Sequence, residues 1–154
     1  MKVILPGSYD PITLGHMSLI EYAAEKYGEV FVVGFINPDK EYSFDKEARL
    51  KMLKLATEGT PGVVCDFSEG RVVDYMKAHG IEKIIKGYRN GTDLEYEKLQ
   101  AEYNLLHGGY ETELVPSKRE LEKISSTEAR RAIAEGKSLE GILSKKVIEF
   151  IKKH

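Results

Sequence analysis

The chain has 154 residues, 42% of them hydrophobic and 31% charged, which suits one globular domain over residues 1–154 and excludes a disordered chain. The formal net charge is -2, so no global basic surface calls for nucleic acid or an anionic membrane, although a local basic pocket stays open. The single cysteine, Cys65, has no partner for a disulfide and no cluster for a metal, and no apolar run approaches the ~18 residues of a membrane span. Only three apolar residues separate Lys2 from Pro6, too few for a signal-peptide core, so the expected location is the reducing cytoplasm.

Short apolar runs alternate with longer amphipathic stretches. "KVIL" predicts a first strand that stops before Pro6, because Pro6, Gly7, Ser8, Asp10 and Pro11 are poor strand residues. A helix follows over residues 14–28, with Leu14, Met17, Leu19, Ile20 and Ala23 or Ala24 at helical spacing and Gly28 as its stop. "EVFVVGFI" is apolar throughout, as expected of a strand covered on both faces. Residues 44–59 predict a second helix with Leu50, Leu53 and Ala56 or Thr57 inward. "GVVCDF" is the third strand, 70–80 the third helix, "EKIIKG" the fourth strand, 93–109 the fourth helix and "ETELV" the fifth strand. Two helical stretches, "SSTEARRAIAEG" and "SKKVIEFIKKH", close the chain. This alternation predicts an α/β fold: a doubly wound, Rossmann-like five-stranded parallel sheet with helices on both faces and C-terminal helices beyond it.

In such sheets ligands bind beyond the carboxyl ends of the strands. The segments there are "PGSYDPITLGH", "NPDKEYSF", "KGYRNGTD" and "PSKRELEKISST". In the first, Gly7 lets backbone amides approach a ligand, Ser8 offers a hydroxyl, and His16 opens a helix whose free N–H groups favour phosphate. The plainer alternative is a Pro-Gly turn and a surface histidine. Lys40 is either a catalytic cation or a solvated loop lysine. Lys86 and Arg89 flank Gly87 directly after a buried strand, a good arrangement for phosphate. Asp93, Glu95 and Glu97 suit a helix start, and Ser125 with Glu128 reads as a capping box, whose free amides and hydroxyls, with Arg130 one turn on, also suit a polyphosphate. His79, His107 and His154 stand at helix ends and form no metal-ligand pattern. Neither a G-x-G-x-x-G fingerprint nor a G-x-x-x-x-G-K loop is present. Tyr22, Tyr27, Tyr96 and Tyr103 fall at helical spacings that suit core or interface, and the basic-rimmed last helix suits packing on the domain or a subunit contact.

These residues resemble a known family. Thr13-Leu14-Gly15-His16 is similar to the T/H-x-G-H signature of the nucleotidylyltransferases, and "ISSTEAR" to their second motif, I-S-S-T-x-x-R. "PGSYDPIT", "NPDK", "KGYRNGTDLEYE" and "VPSKRELEKISST" resemble, within that superfamily, the bacterial phosphopantetheine adenylyltransferases, over essentially the whole chain. The resemblance implies adenylyl transfer from ATP to 4'-phosphopantetheine, giving dephospho-coenzyme A and pyrophosphate. It implies Mg2+ bound mainly through the ATP phosphates, a homohexamer, and coenzyme A as a feedback inhibitor. By resemblance His16, Lys40 and Arg89 are catalytic. Ser8, Tyr9, His16, Gly87, Tyr88, Arg89, Glu97, Leu121, Glu122, Lys123, Ile124, Ser125, Ser126 and Thr127 are expected at ATP, and Ser8, Lys40, Val72 and Lys86 at phosphopantetheine.

Two positions depart from the pattern: Lys86 stands where arginine is common, giving a point charge without a bidentate fork, and Ser8 replaces a frequent threonine, keeping the hydroxyl. The nearest rival is a nicotinate or nicotinamide mononucleotide adenylyltransferase, against which Thr13 stands where that branch usually has histidine. A non-catalytic nucleotide or coenzyme A sensor is the rival of another class; both motifs being intact argues against it.

Overall fold

The computed structural model describes residues 1–154. The apolar runs form one sheet from β1 (Lys2–Gly7), β2 (Glu29–Phe35), β3 (Val63–Ser68), β4 (Lys83–Tyr88) and β5 (Glu111–Pro116). All neighbours pair in parallel, in the order β3-β2-β1-β4-β5. Helices α1 (Leu14–Tyr27), α2 (Lys46–Thr57), α3 (Val72–His79) and α4 (Gly91–Gly108) cross between strands, and α5 (Ser126–Glu135) and α6 (Lys145–Lys153) follow the sheet. No helix is long and apolar enough to cross a membrane.

Side chains alternate across β1, so its two faces feed two cores. Val3 and Leu5 join Val30, Val32, Ile20, Met52, Leu53 and Val147 on one face, while Ile4 joins Val33, Met76, Ile81 and Ile84 on the other. Val147 brings α6 onto the domain, as the packing alternative expects.

Three expectations need correction. The first strand runs on through Pro6 and Gly7, which pair with Val33 and Gly34 of β2. Pro6 is tolerated because β1 pairs with β4 only at Val3 and Ile4, so no ladder bond toward β4 is lost at Pro6. The inward stripe of α2 is wider than expected: Leu53 and Thr57 are buried and Leu50 and Ala56 pack against the core as the spacing predicts, but Arg49 and Met52 are buried with them. Its N-cap is Asp45, whose side chain accepts the Ala48 N–H, so the helix starts later than its apolar pattern. The capping box at α5 is half formed: Ser125 Oγ accepts the Glu128 N–H at 3.1 Å, but the Glu128 carboxylate turns outward to Arg131 at 2.6 Å.

Gly34 is required by close approach, since a Cβ there would stand 2.1 Å from the Phe67 ring. The connection from β1 bends through Tyr9, which holds a left-handed φ of 49°. A non-glycine residue there is strained, and burial of its ring with a 2.7 Å bond from its hydroxyl to the Leu5 carbonyl holds it.

Candidate active site

β1 and β4 stop pairing after Ile4 and Ile84, while each stays zipped to its outer neighbour. The sheet order reverses direction at this same gap, the switch point where parallel sheets bind ligands. A cavity of about 680 Å³ opens there, walled by Gly7, Ser8, His16, Lys86, Arg89 and the first turn of α5, among others.

His16 is the third residue of α1, and its ring is locked from behind. Thr13, the N-cap, donates its backbone N–H to His16 Nδ1 at 3.0 Å, while Thr13 Oγ1 accepts the His16 N–H at 3.3 Å. Because Nδ1 is the acceptor, the neutral imidazole carries its proton on Nε2. Tyr9 packs edge-on against the ring with centroids 4.9 Å apart. Burial, reinforced by the nearby Lys86 and Arg89 cations, lowers the His16 pKa to about 4. At neutral pH His16 is therefore an uncharged donor at the cavity wall.

Three cations from two segments converge on the same cavity, Lys40 after β2 and Lys86 with Arg89 at the end of β4. Lys40 Nζ donates to Ser8 Oγ at 3.3 Å, bringing the loop after β2 against the loop after β1. Lys86 Nζ donates to the Pro6 carbonyl at 3.3 Å and lies 3.4 Å from Glu97. Arg89 is held by Asp93, whose carboxylate accepts from both its Nε and its backbone N–H. On the far wall α5 presents its free N-terminus, with Ser125, Ser126 and Thr127 lining the cavity. Arg130 reaches back from α5 to the Asp10 carbonyl at 2.8 Å, and Ser126 Oγ to the Pro11 carbonyl at 2.8 Å, so the two motifs are tied together.

The model of the cytidylyltransferase-like family matches residues 4–132. A phosphopantetheine adenylyltransferase of Clostridium novyi (strain NT) is 37% identical over 149 residues, covering 96% of this chain and 92% of that protein. One of Symbiobacterium thermophilum is 39% identical over 144 residues, covering 93% and 89%. The chain belongs to the phosphopantetheine adenylyltransferase family.

For a member of this family the expected residues divide clearly. The cavity gathers Ser8, Tyr9, His16, Lys40, Lys86, Gly87, Tyr88, Arg89, Leu121, Ile124, Ser125, Ser126 and Thr127. Val72, Glu97, Glu122 and Lys123 stand outside its lining. Glu97 is buried behind Lys86, because α4 begins at Gly91 under an Asn90 cap and turns that carboxylate inward. Tyr9 meets the cavity from a buried position, with its hydroxyl already committed to Leu5. Sequence reading passed over Asp10, which is 3% exposed and organises three segments. Its carboxylate accepts the backbone N–H of Ser43 at 2.8 Å and of Phe44 at 2.9 Å, and stands 4.0 Å from Arg130. The signal was present: an acid in "SYDPIT", between two turn-forming segments and away from any helix start.

Proposed function

We propose that this chain transfers the adenylyl group of ATP to the phosphate of 4'-phosphopantetheine, giving dephospho-coenzyme A and pyrophosphate. An acceptor phosphate oxygen attacks the α-phosphorus and forms a new P–O bond. The bond from the α-phosphorus to the oxygen bridging to the β-phosphate breaks, and that oxygen leaves with its electron pair as pyrophosphate. The nucleophile is already anionic at neutral pH, so no general base is required. The demands on the protein are in-line positioning and stabilisation of negative charge.

The observation that carries this reading is the neutral His16 with its Nε2–H facing a cavity ringed by Lys40, Lys86 and Arg89. A neutral, pre-aimed donor stabilises a developing oxyanion without reorganising. In this reading Lys40, Ser8 and Lys86 hold the acceptor phosphate. His16, Arg89 and the α5 N-terminus hold the ATP phosphates, and Arg130 serves beside them. Val72 lies outside the cavity wall and would meet only the distal pantetheine arm.

In this reading Mg2+ would be carried mainly on the ATP phosphates and would supply charge neutralisation for them. A hexamer would cover the exposed apolar side chains of α4, among them Leu106, which is 82% exposed. Coenzyme A shares the product's framework and would compete for the same cavity. The reading makes this a cytoplasmic enzyme, consistent with its one unpaired thiol.

Pyrophosphate release from ATP and Mg2+ tests the reaction, with 4'-phosphopantetheine compared against nicotinamide and nicotinate mononucleotides. Release with phosphopantetheine alone is expected. Release with a mononucleotide instead overturns the substrate, and release with none overturns the catalytic reading in favour of a sensor.

A further inference from the structure

Arg49 is the one buried cation that neither motif explains. It sits on α2, 2% exposed, and no carboxylate comes within ion-pair distance of it. Its Nε is shielded from solvent and has no hydrogen-bond partner. Burying an unneutralised guanidinium is costly, and a fold tolerates it where the charge is used. Its surroundings say where. One terminal N–H donates to the Ser8 carbonyl at 3.1 Å. The guanidinium lies 3.9 Å from the centre of the Tyr42 ring and 4.9 Å from that of Phe67. Tyr42 in turn stands 5.5 Å from Lys40 Nζ, and Lys40 is the residue that donates to Ser8 Oγ. Arg49 thus touches both supports of the Ser8–Lys40 contact, from beneath, without lining the cavity itself.

We infer that Arg49 is a positioning residue of the acceptor-phosphate subsite: it clamps Ser8 through the carbonyl and Lys40 through Tyr42, and leaves a buried positive charge for the acceptor phosphate to neutralise. This rests on the proposed function for the identity of the acceptor, not for the existence of the anion subsite. A planar fork that stacks and hydrogen-bonds at once is not replaced by an ammonium. The inference therefore separates from a purely structural role by which substrate suffers.

The test is Arg49→Lys in the full-length protein, with KM for each substrate, kcat and thermal melting measured beside wild type. A rise of about tenfold or more in KM for 4'-phosphopantetheine is expected, with KM for ATP changed less than about threefold. Tyr42→Leu removes the ring between Arg49 and Lys40 and is expected to raise the same KM by a smaller factor than Arg49→Lys, but by more than Tyr42→Phe, which loses only the bond accepted from the Asn37 N–H at 2.9 Å. Equal rises in both KM values, or no rise at matched melting temperature, overturn the inference. If Arg49→Lys does not fold, the excess of Tyr42→Leu over Tyr42→Phe decides by the same split. If wild type does not adenylylate phosphopantetheine, the functional reading fails separately. The inference is then decided by calorimetric binding of inorganic phosphate, which Arg49→Lys must weaken at least about fivefold; unchanged binding overturns it.

Discussion

Two nitrogens of His16 do two different jobs, and substitutions separate them. Nδ1 accepts the Thr13 N–H at 3.0 Å and so helps cap α1, while Nε2–H faces the cavity. His16→Ala removes both. Loss of one aimed donor costs about 100- to 1000-fold in kcat, or about 3–4 kcal/mol of transition-state stabilisation. Loss of the acceptor at the cap costs about 1 kcal/mol of folding stability, which in a chain of this size lowers Tm by about 2–4 °C. His16→Asn puts an amide oxygen near the Nδ1 position, yet its amide is too short to reach where Nε2 stood. It is expected to restore Tm to within about 1 °C of wild type while kcat stays down by about 100-fold. The assay is initial-rate pyrophosphate release at saturating substrates, paired with thermal melting of each variant. Wild-type-like turnover in either variant refutes the donor role. Recovery of rate and Tm together in His16→Asn refutes the division of labour between the nitrogens.

The same bonding predicts a pH signature. The His16 pKa is lowered, first by burial and then by Lys86 and Arg89, so its stabilising contribution is complete above the ordinary histidine pKa and is lost as pH falls toward about 4. Nitrogen-15 NMR of the free protein should show the Nε2–H tautomer unchanged from pH 8 to about 5.5, and titration near 6.5 would contradict the burial argument. Asp10→Ala strands the Ser43 and Phe44 amides and removes the carboxylate 4.0 Å from Arg130, which keeps its bond to the Asp10 carbonyl. A loss of about 2–4 kcal/mol is expected, seen as a fall in Tm of about 4–16 °C, with turnover impaired because the Lys40 loop detaches. A Tm within about 1 °C of wild type would show that these bonds hold nothing. Lys86→Met leaves Glu97 buried without its cation, at a cost on the order of 2 kcal/mol, reduced from the fully buried case because Lys86 is partly exposed. The double variant Lys86→Met/Glu97→Leu should recover Tm but not the affinity for the acceptor, and recovery of both would remove Lys86 from the site.

Much of the architecture was legible because it depends on local pattern. Apolar runs such as "EVFVVGFI" can only be covered on both faces, and their alternation with amphipathic helices leaves a doubly wound sheet as the economical solution. The segments after four of the strands meet at one cavity, as the topology required. Helical phase was harder. Arg49 lies outside the apolar stripe that the spacing predicts for α2, and only the Tyr42 and Phe67 rings reveal that it points inward. Glu97 followed the same logic in reverse: a group expected at ATP turns behind Lys86 once the Asn90 cap sets the start of α4.

By itself the sequence determined the family, the sheet class and the residue types that line the cavity, because motifs, burial patterns and turn chemistry are written over a few neighbouring positions. Tertiary structure decided which nitrogen of His16 is bonded to Thr13, which carboxylate engages Lys86 and that Arg49 has none. Those outcomes depend on groups distant in the chain, such as Arg130 on Asp10 and Lys40 on Ser8. The crossovers bring them within bonding distance, and a bond of about 3 Å has no local signature in the sequence.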